Sequence, residues 1–163
     1  ISLGNHMTFL FEDRLTILYQ IQEMMRAEKI FERDLIEEEL AVYNPLISGS
    51  HNLKATLLIE YPPEIRQENL EKLCSVEHQI QIWKEGLNPI NAIADEDLPR
   101  SNATKTSAVH FLRFELTEEM LCCPESPFIL GVDHAHYKAK TILSKQSQQA
   151  IVKALNHGVK FEE

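Results

Sequence analysis

The chain has 163 residues, 44% hydrophobic and 25% charged, the composition of an ordinary globular domain rather than of a disordered or membrane-embedded chain. Its 16 Lys and Arg stand against 25 Asp and Glu, a formal net charge of −9 with His neutral. That balance, with no basic run, argues against nucleic acid as a partner, because phosphate contacts need clustered Lys and Arg.

The length fits one domain, which usually runs to ~100–200 residues. A chain of this size buries roughly two thirds of its unfolded surface, so neither metal nor disulfide is needed to fold it. The three cysteines are Cys74 and the adjacent Cys122 and Cys123. An odd count without a CxxC or other metal-ligand spacing points to a reducing compartment, hence to a cytoplasmic protein. No apolar stretch approaches the ~18–20 residues of a membrane helix, and no signal-peptide pattern is present. No membrane association is expected.

In chain order, His6 to Glu12 reads as a strand with Met7, Phe9 and Phe11 on one face. Asp13 is placed to cap a helix over Arg14 to Lys29, whose Ile17, Leu18, Ile21, Met24 and Met25 make an apolar stripe. A second helix covers Glu32 to Tyr43 and stops at Asn44-Pro45. Ala55 to Tyr61 is a strand, and Pro62-Pro63 opens a helix to Leu73. Val76 to Trp83 alternates, with Val76, His78, Ile80 and Ile82 on one face and Glu77, Gln79 and Gln81 on the other. A short strand is expected at Asn91 to Ala94, then a polar mobile loop from Asp95 to Ser107. Ala108 to Leu116 is a strand with His110, Leu112, Phe114 and Leu116 on one face. Thr117 starts a short helix through Cys122, ended by Pro124. Phe128 to His134 and Tyr137 to Leu143 form a hairpin, and Ser144 caps a final helix to Asn156. Adjacent strands without intervening helices favour an α+β domain over a strict parallel α/β sheet. The expectation is one domain over residues 1–163, with a mostly antiparallel or mixed sheet and about four to five helices.

With five Gly, the sequence has no Gly-rich phosphate loop and no dinucleotide fingerprint, and H-E-x-x-H, EF-hand and nucleophile-elbow motifs are absent. Histidine on strands stands out instead. His78, His110 and His134 fall on the more apolar faces of their strands, and Glu60 shares a face with Leu58. If these faces meet, imidazoles and a carboxylate converge in one core, a set that suits Zn or Fe. The competing reading is that each inward His donates to a backbone carbonyl. Asp133-His134-Ala135-His136 is the densest local ligand set. An H-x-H pair shares one side of an extended strand, but this segment falls at the hairpin turn, where alternation fails. Glu23 and Arg26 lie one helical turn apart and read as an exposed ion pair rather than a ligand site. Cys122-Cys123 sits at a helix C-terminus, where the dipole disfavours a thiolate, so the pair is a weak redox signal.

The segments HMTFLFEDR, QIQEMMRAEKI, EEELAVYNPLI, ATLLIEY, VEHQI, SAVHFLRFEL and VDHAHY resemble a bacterial domain-of-unknown-function family, numbered thirty-five-oh-one. The resemblance runs from His6 to about Tyr137 and includes no catalytic signature. Genes of that family often lie beside those for rubrerythrin and an iron–sulfur oxidoreductase. The resemblance therefore implies a role near peroxide handling or electron transfer, with those two proteins as candidate partners. Family members usually carry a further N-terminal segment, so one is expected to be missing here. The family has Pro at the position of Ala135 and no His at that of His136, which leaves His110, Asp133 and His134 as the better candidates. Matches around Glu23, Arg26, Glu60 and His78 add weight to those positions.

Three functions remain open at this point. The first is an accessory or interaction domain of a bacterial redox system. The second is a metal-binding protein or oxidoreductase holding Fe or Zn with His78, His110, His134, Asp133 and Glu60. The third is a small-molecule binding module with a pocket beside the Asp95–Ser107 loop.

Overall fold

The structure is a computed structural model that describes residues 1–43, 51–94, 101, 104–123 and 125–157. Two antiparallel four-stranded sheets carry it. In the first, β1 (Met7–Phe11) pairs with β2 (Asn52–Ile59). Strand β6 (Val109–Glu115) lies on the other side of β2 and takes the two-residue β5 (Ile93–Ala94) at its far edge. In the second, β4 (Ile90–Asn91), β3 (Ile80–Lys84), β7 (Phe128–His134) and β8 (Tyr137–Ile142) run in that order. Ala92 separates β4 from β5, is buried, and donates its N–H to the Ile80 carbonyl at 2.8 Å. The chain passes from one sheet to the other at that residue, so the single short strand expected at Asn91 to Ala94 is split in two.

Strand alternation delivers the core. Leu53, Ala55, Leu57 and Ile59 of β2 point inward with Met7 and Phe9 of β1 and Leu112 and Phe114 of β6. Ile80 and Ile82 of β3 meet Phe128, Leu130 and Val132 of β7, and all of these residues belong to one hydrophobic cluster. The α+β single-core architecture matches the sequence expectation, with five α-helices and purely antiparallel pairing among the described residues.

Helix α1 (Arg14–Glu28) begins with the expected Asp13 cap. The Asp13 carboxylate accepts from the Thr16 N–H at 2.7 Å, and the Asp13 N–H donates in return to the Thr16 hydroxyl oxygen, a capping box. Its stripe is narrower than the spacing predicts. Ile17 and Ile21 are buried, Met24 and Met25 are half-buried, and Leu18 is exposed. Helix α2 (Arg33–Tyr43) buries none of its described side chains. Helix α3 (Pro63–Lys72) starts on proline, as expected. Helix α4 (Glu118–Cys122) is capped by the Thr117 hydroxyl, and Ser144 accepts from the Ser147 N–H at the start of α5 (Lys145–His157). Most of the Asp95–Ser107 loop lies outside the described residues, as does Pro124. Among the described residues no helix is long and apolar enough to cross a membrane.

The largest departure from the sequence reading is at Val76–Gln79, which forms a 3-10 turn where a strand was expected. Ser75 adopts the left-handed conformation (φ 65°), and the Val76 and His78 amides bond back to Leu73 and Ser75. In such a turn residues three apart eclipse, so Glu77 shares the side of inward-facing Ile80. Glu77 is therefore fully buried and His78 exposed, the reverse of the predicted faces.

Candidate functional site

The five sequence-predicted ligands do not gather into one set. Glu60 lies beyond the end of β2, exposed, and accepts from the Thr8 hydroxyl at 2.7 Å. Asp133 is exposed and pairs with Lys138 across the hairpin at 2.5 Å. His134 is buried, but both ring nitrogens are engaged by backbone. Its Nε2 lies 3.3 Å from the Cys74 carbonyl, and its Nδ1 accepts from the His136 N–H at 3.2 Å. A carbonyl only accepts, so these bonds fix the proton on Nε2. Ala135 and His136 form the two-residue hairpin turn, as expected, and the two imidazoles are tilted at 5.8 Å rather than aligned as an H-x-H pair. Among the described residues no group of three or more His, Cys, Asp or Glu is arranged to hold a metal ion.

His110 is fully buried on β6, as the alternation predicts. It faces Glu77, a residue that the sequence reading turned outward. Its Nε2 contacts the Thr106 hydroxyl at 2.8 Å and the Ser107 carbonyl at 3.0 Å, which again places the proton on Nε2. Thr106 Oγ1 donates to Glu77 Oε2 at 3.2 Å and lies 2.7 Å from the Ser101 hydroxyl. Glu77 Oε2 is 4.0 Å from His110 Nε2, and Glu77 Oε1 is 3.8 Å from His78 Nε2. The Thr106 N–H donates to the Leu70 carbonyl at the end of α3. This network ties the residues before β6 to the 3-10 turn and α3. It is a buried cluster that holds three elements together, with Glu77 Oε2 hydrogen-bonded and Glu77 Oε1 left without a hydrogen-bond partner among the described residues.

A second buried charge lies elsewhere. Lys84 ends β3 on the inward face, two residues beyond Ile82, and is only 3% exposed. Its cross-strand neighbour is Phe128, and its ammonium sits 4.4 Å above that ring. Lys84 Nζ also donates to the Cys123 carbonyl at 2.5 Å. Among the described residues no carboxylate pairs with it. Burial pushes its pKa below the ordinary lysine value of 10.5, and the Cys123 thiol works in the opposite direction.

Lys84 lines a cavity of about 1060 Å³ between β3, α4, β7 and α5. Met120, Leu121, Phe128, Leu143 and Val152 give it apolar walls. Lys145 and Lys153 reach it from α5, with Gln148, Gln149 and Glu125. Three lysines against one glutamate make this a locally basic cavity in a protein of net charge −9. The sequence reading missed it, although the signal was available. The alternation through Ile80 and Ile82, carried two residues further, puts Lys84 on the same inward face.

The description "Protein of unknown function (DUF3501)" fits residues 1–155. The chain belongs to this family. A crystal structure described as a novel protein of unknown function from Burkholderia pseudomallei K96243 is 44% identical, with a TM-score of 0.85 over 94% of this chain and 82% of that one. No curated protein matches the chain. The DUF3501 assignment agrees with the sequence resemblance and assigns no reaction, so function has to be argued from the site.

The Thr106 hydroxyl is the hydrogen-bond donor to Glu77 among the described residues. Replacing Thr106 with Val keeps the shape and leaves the buried carboxylate without that donor. Urea unfolding is expected to show a loss of ~1–3 kcal/mol, the usual penalty for a stranded buried polar group.

Proposed function

We propose that this protein is a binding module for a small organic anion, held in the cavity over Lys84. The observation that carries the reading is an ammonium removed from water without a carboxylate partner among the described residues. Burying an ion in that way costs several kcal/mol after relaxation, on the order of what a well-placed counter-ion restores. A carbonyl oxygen and an aromatic face, the contacts Lys84 has, offset part of that cost and carry no net charge. An anionic ligand supplies the missing charge, and the apolar walls favour one with a hydrocarbon body. The size of the cavity suits a ligand of metabolite or cofactor dimensions. This is the small-molecule reading of the sequence, moved from the Asp95–Ser107 loop to the opposite end of β3.

The pH dependence follows from the direction of the Lys84 shift. An anion favours the ammonium, so it raises the lowered pKa on binding. Affinity is then full below the free protein's Lys84 pKa and falls as pH rises through it. Anilinonaphthalene sulfonate, an anion on an apolar body, is a suitable fluorescent probe, with phenylnaphthylamine as its neutral analogue. Lys84→Met keeps most of the side-chain volume and removes the charge. It is expected to weaken the sulfonate about tenfold, near 1.4 kcal/mol, and to leave the neutral analogue unchanged. Equal sulfonate affinity in the wild type and the variant would remove the basis of the reading.

A second reading is favoured by a separate observation. The α1–α2 hairpin exposes Leu15, Leu18, Tyr19, Phe31 and Leu35, with Phe31 at 82% and Leu15 at 72%. Exposed apolar residues clustered on one motif are a common mark of an interaction surface. On this reading the protein is also an accessory domain, and rubrerythrin and an iron–sulfur oxidoreductase are the proposed partners. Mixing each purified partner with the protein under reducing conditions and following co-elution tests it. Complex formation lost in a Phe31→Ser, Leu35→Ser variant is the expected result. Separate elution with both partners counts against it.

A further inference from the structure

Helix α2 is eleven residues long and buries none of its described side chains. A helix of that length is marginal in water by itself, and in a folded protein it is held by burying an apolar face. Ile36, Leu40 and Tyr43 recur at helical spacing and are only half-buried, with α1 the neighbouring helix. Leu35 lies beside that stripe and is exposed, as is Phe31 in the connection from α1. Carboxylates surround this apolar pair. From Lys29 to Glu39 the chain carries five Asp and Glu against Lys29 and Arg33. Arg33 is already bonded to Glu37 at 2.9 Å. Glu32 and Asp34 stand at the helix start, and Glu38 lies one turn beyond Leu35 on the same side. All three are exposed, and among the described residues no cation pairs with any of them.

We propose that the α1–α2 hairpin docks a basic amphipathic helix of a partner protein. The apolar stripe of that helix covers Phe31 and Leu35, and its Lys and Arg meet Glu32, Asp34 and Glu38. The inference rests on the reading of this hairpin as an interaction surface and gives the docking element its chemistry. A helix fits better than an extended strand, because a helical hairpin has no open backbone edge to which a strand could add. Two helices side by side leave a groove into which the side-chain ridge of a third packs. The unpaired carboxylates select the sign of the partner. A second copy of the same hairpin would set like charges against each other, at a cost of several kcal/mol by the usual measure of such juxtapositions. An anionic bilayer would be repelled in the same way. Covering Phe31 and Leu35 also supplies the burial that α2 lacks.

Fluorescence anisotropy on the intact protein tests the proposal with three labelled peptides. The first places Leu and Lys at amphipathic helical spacing, the second has Glu for every Lys, and the third has Ser for every Leu. The expected result is binding of the first alone, weakened by salt and about tenfold weaker in a Glu32→Lys, Asp34→Lys, Glu38→Lys variant. Binding is also expected to be lost in the Phe31→Ser, Leu35→Ser variant, and amide exchange across Arg33–Tyr43 to slow on binding. Circular dichroism matching the wild type shows that each variant is folded. Equal binding of the first and third peptides reduces the effect to the net charge of the protein and overturns the docking helix. Equal binding of the first and second, lost in Phe31→Ser, Leu35→Ser, overturns the basic partner and leaves the interaction surface standing. No loss of binding in that variant contradicts the interaction surface as well. Sedimentation showing a dimer that the same variant abolishes, or capture by phosphatidylglycerol vesicles that it abolishes, assigns the face to a second copy or to a membrane and overturns the proposal.

Discussion

Two antiparallel sheets share one core in this protein, so each strand delivers alternate side chains into it whatever their charge. Most inward positions are Leu, Ile, Val, Phe and Met, and they need no further explanation. Three of the exceptions bear most on the chemistry of the molecule. His110 enters from β6, Glu77 from the turn before β3, and Lys84 from the far end of β3. A side chain that its backbone directs into a packed core reaches water only by displacing its neighbours. Its charge or polar atoms must be met inside, by the protein or by something bound to it.

The two solutions differ. Around His110, hydroxyls of Thr106 and Ser101 and the Ser107 carbonyl form a chain of hydrogen bonds reaching Glu77. That cluster joins α3, the 3-10 turn and the entry to β6, and it leaves Glu77 Oε1 without a hydrogen-bond partner among the described residues. Around Lys84 the protein supplies one carbonyl and one aromatic face and then opens into a cavity. A cation without a carboxylate partner among the described residues, beside open space, is what favours the proposed binding site over a second structural cluster.

The sequence made the fold legible wherever local pattern and tertiary burial agree. The strands read at Ala108 to Leu116 and in the hairpin form as expected, the one read at Ala55 to Tyr61 forms three residues earlier, from Asn52 to Ile59, and Asp13, Thr117 and Ser144 marked three helix starts. Alternation failed at Val76–Gln79, because a left-handed Ser75 and a 3-10 turn carry the same apolar and polar letters as a strand. That one error inverted Glu77 and His78, hiding the carboxylate that faces His110. The helix stripe on α1 was overread for a related reason. Periodicity identifies an apolar face but not how much of it meets the core, and only Ile17 and Ile21 are buried. The candidate site was legible in part. Lys84 lies one residue beyond the strand expected to end at Trp83, and a lysine at a strand end reads as solvated. Its burial depends on Phe128 and Cys123, contacts far away in sequence.

On the proposed reading, the Lys84 ammonium is held in the interior without a carboxylate partner among the described residues and takes an anion as its counter-charge. The most direct measurement is the titration of its side chain by NMR, using lysine labelled at Cε and assigned with Lys84→Arg. The account predicts a pKa below 10.5 in the free protein, rising when anilinonaphthalene sulfonate is added. A Lys84 resonance that titrates at the ordinary value and ignores the sulfonate would contradict it.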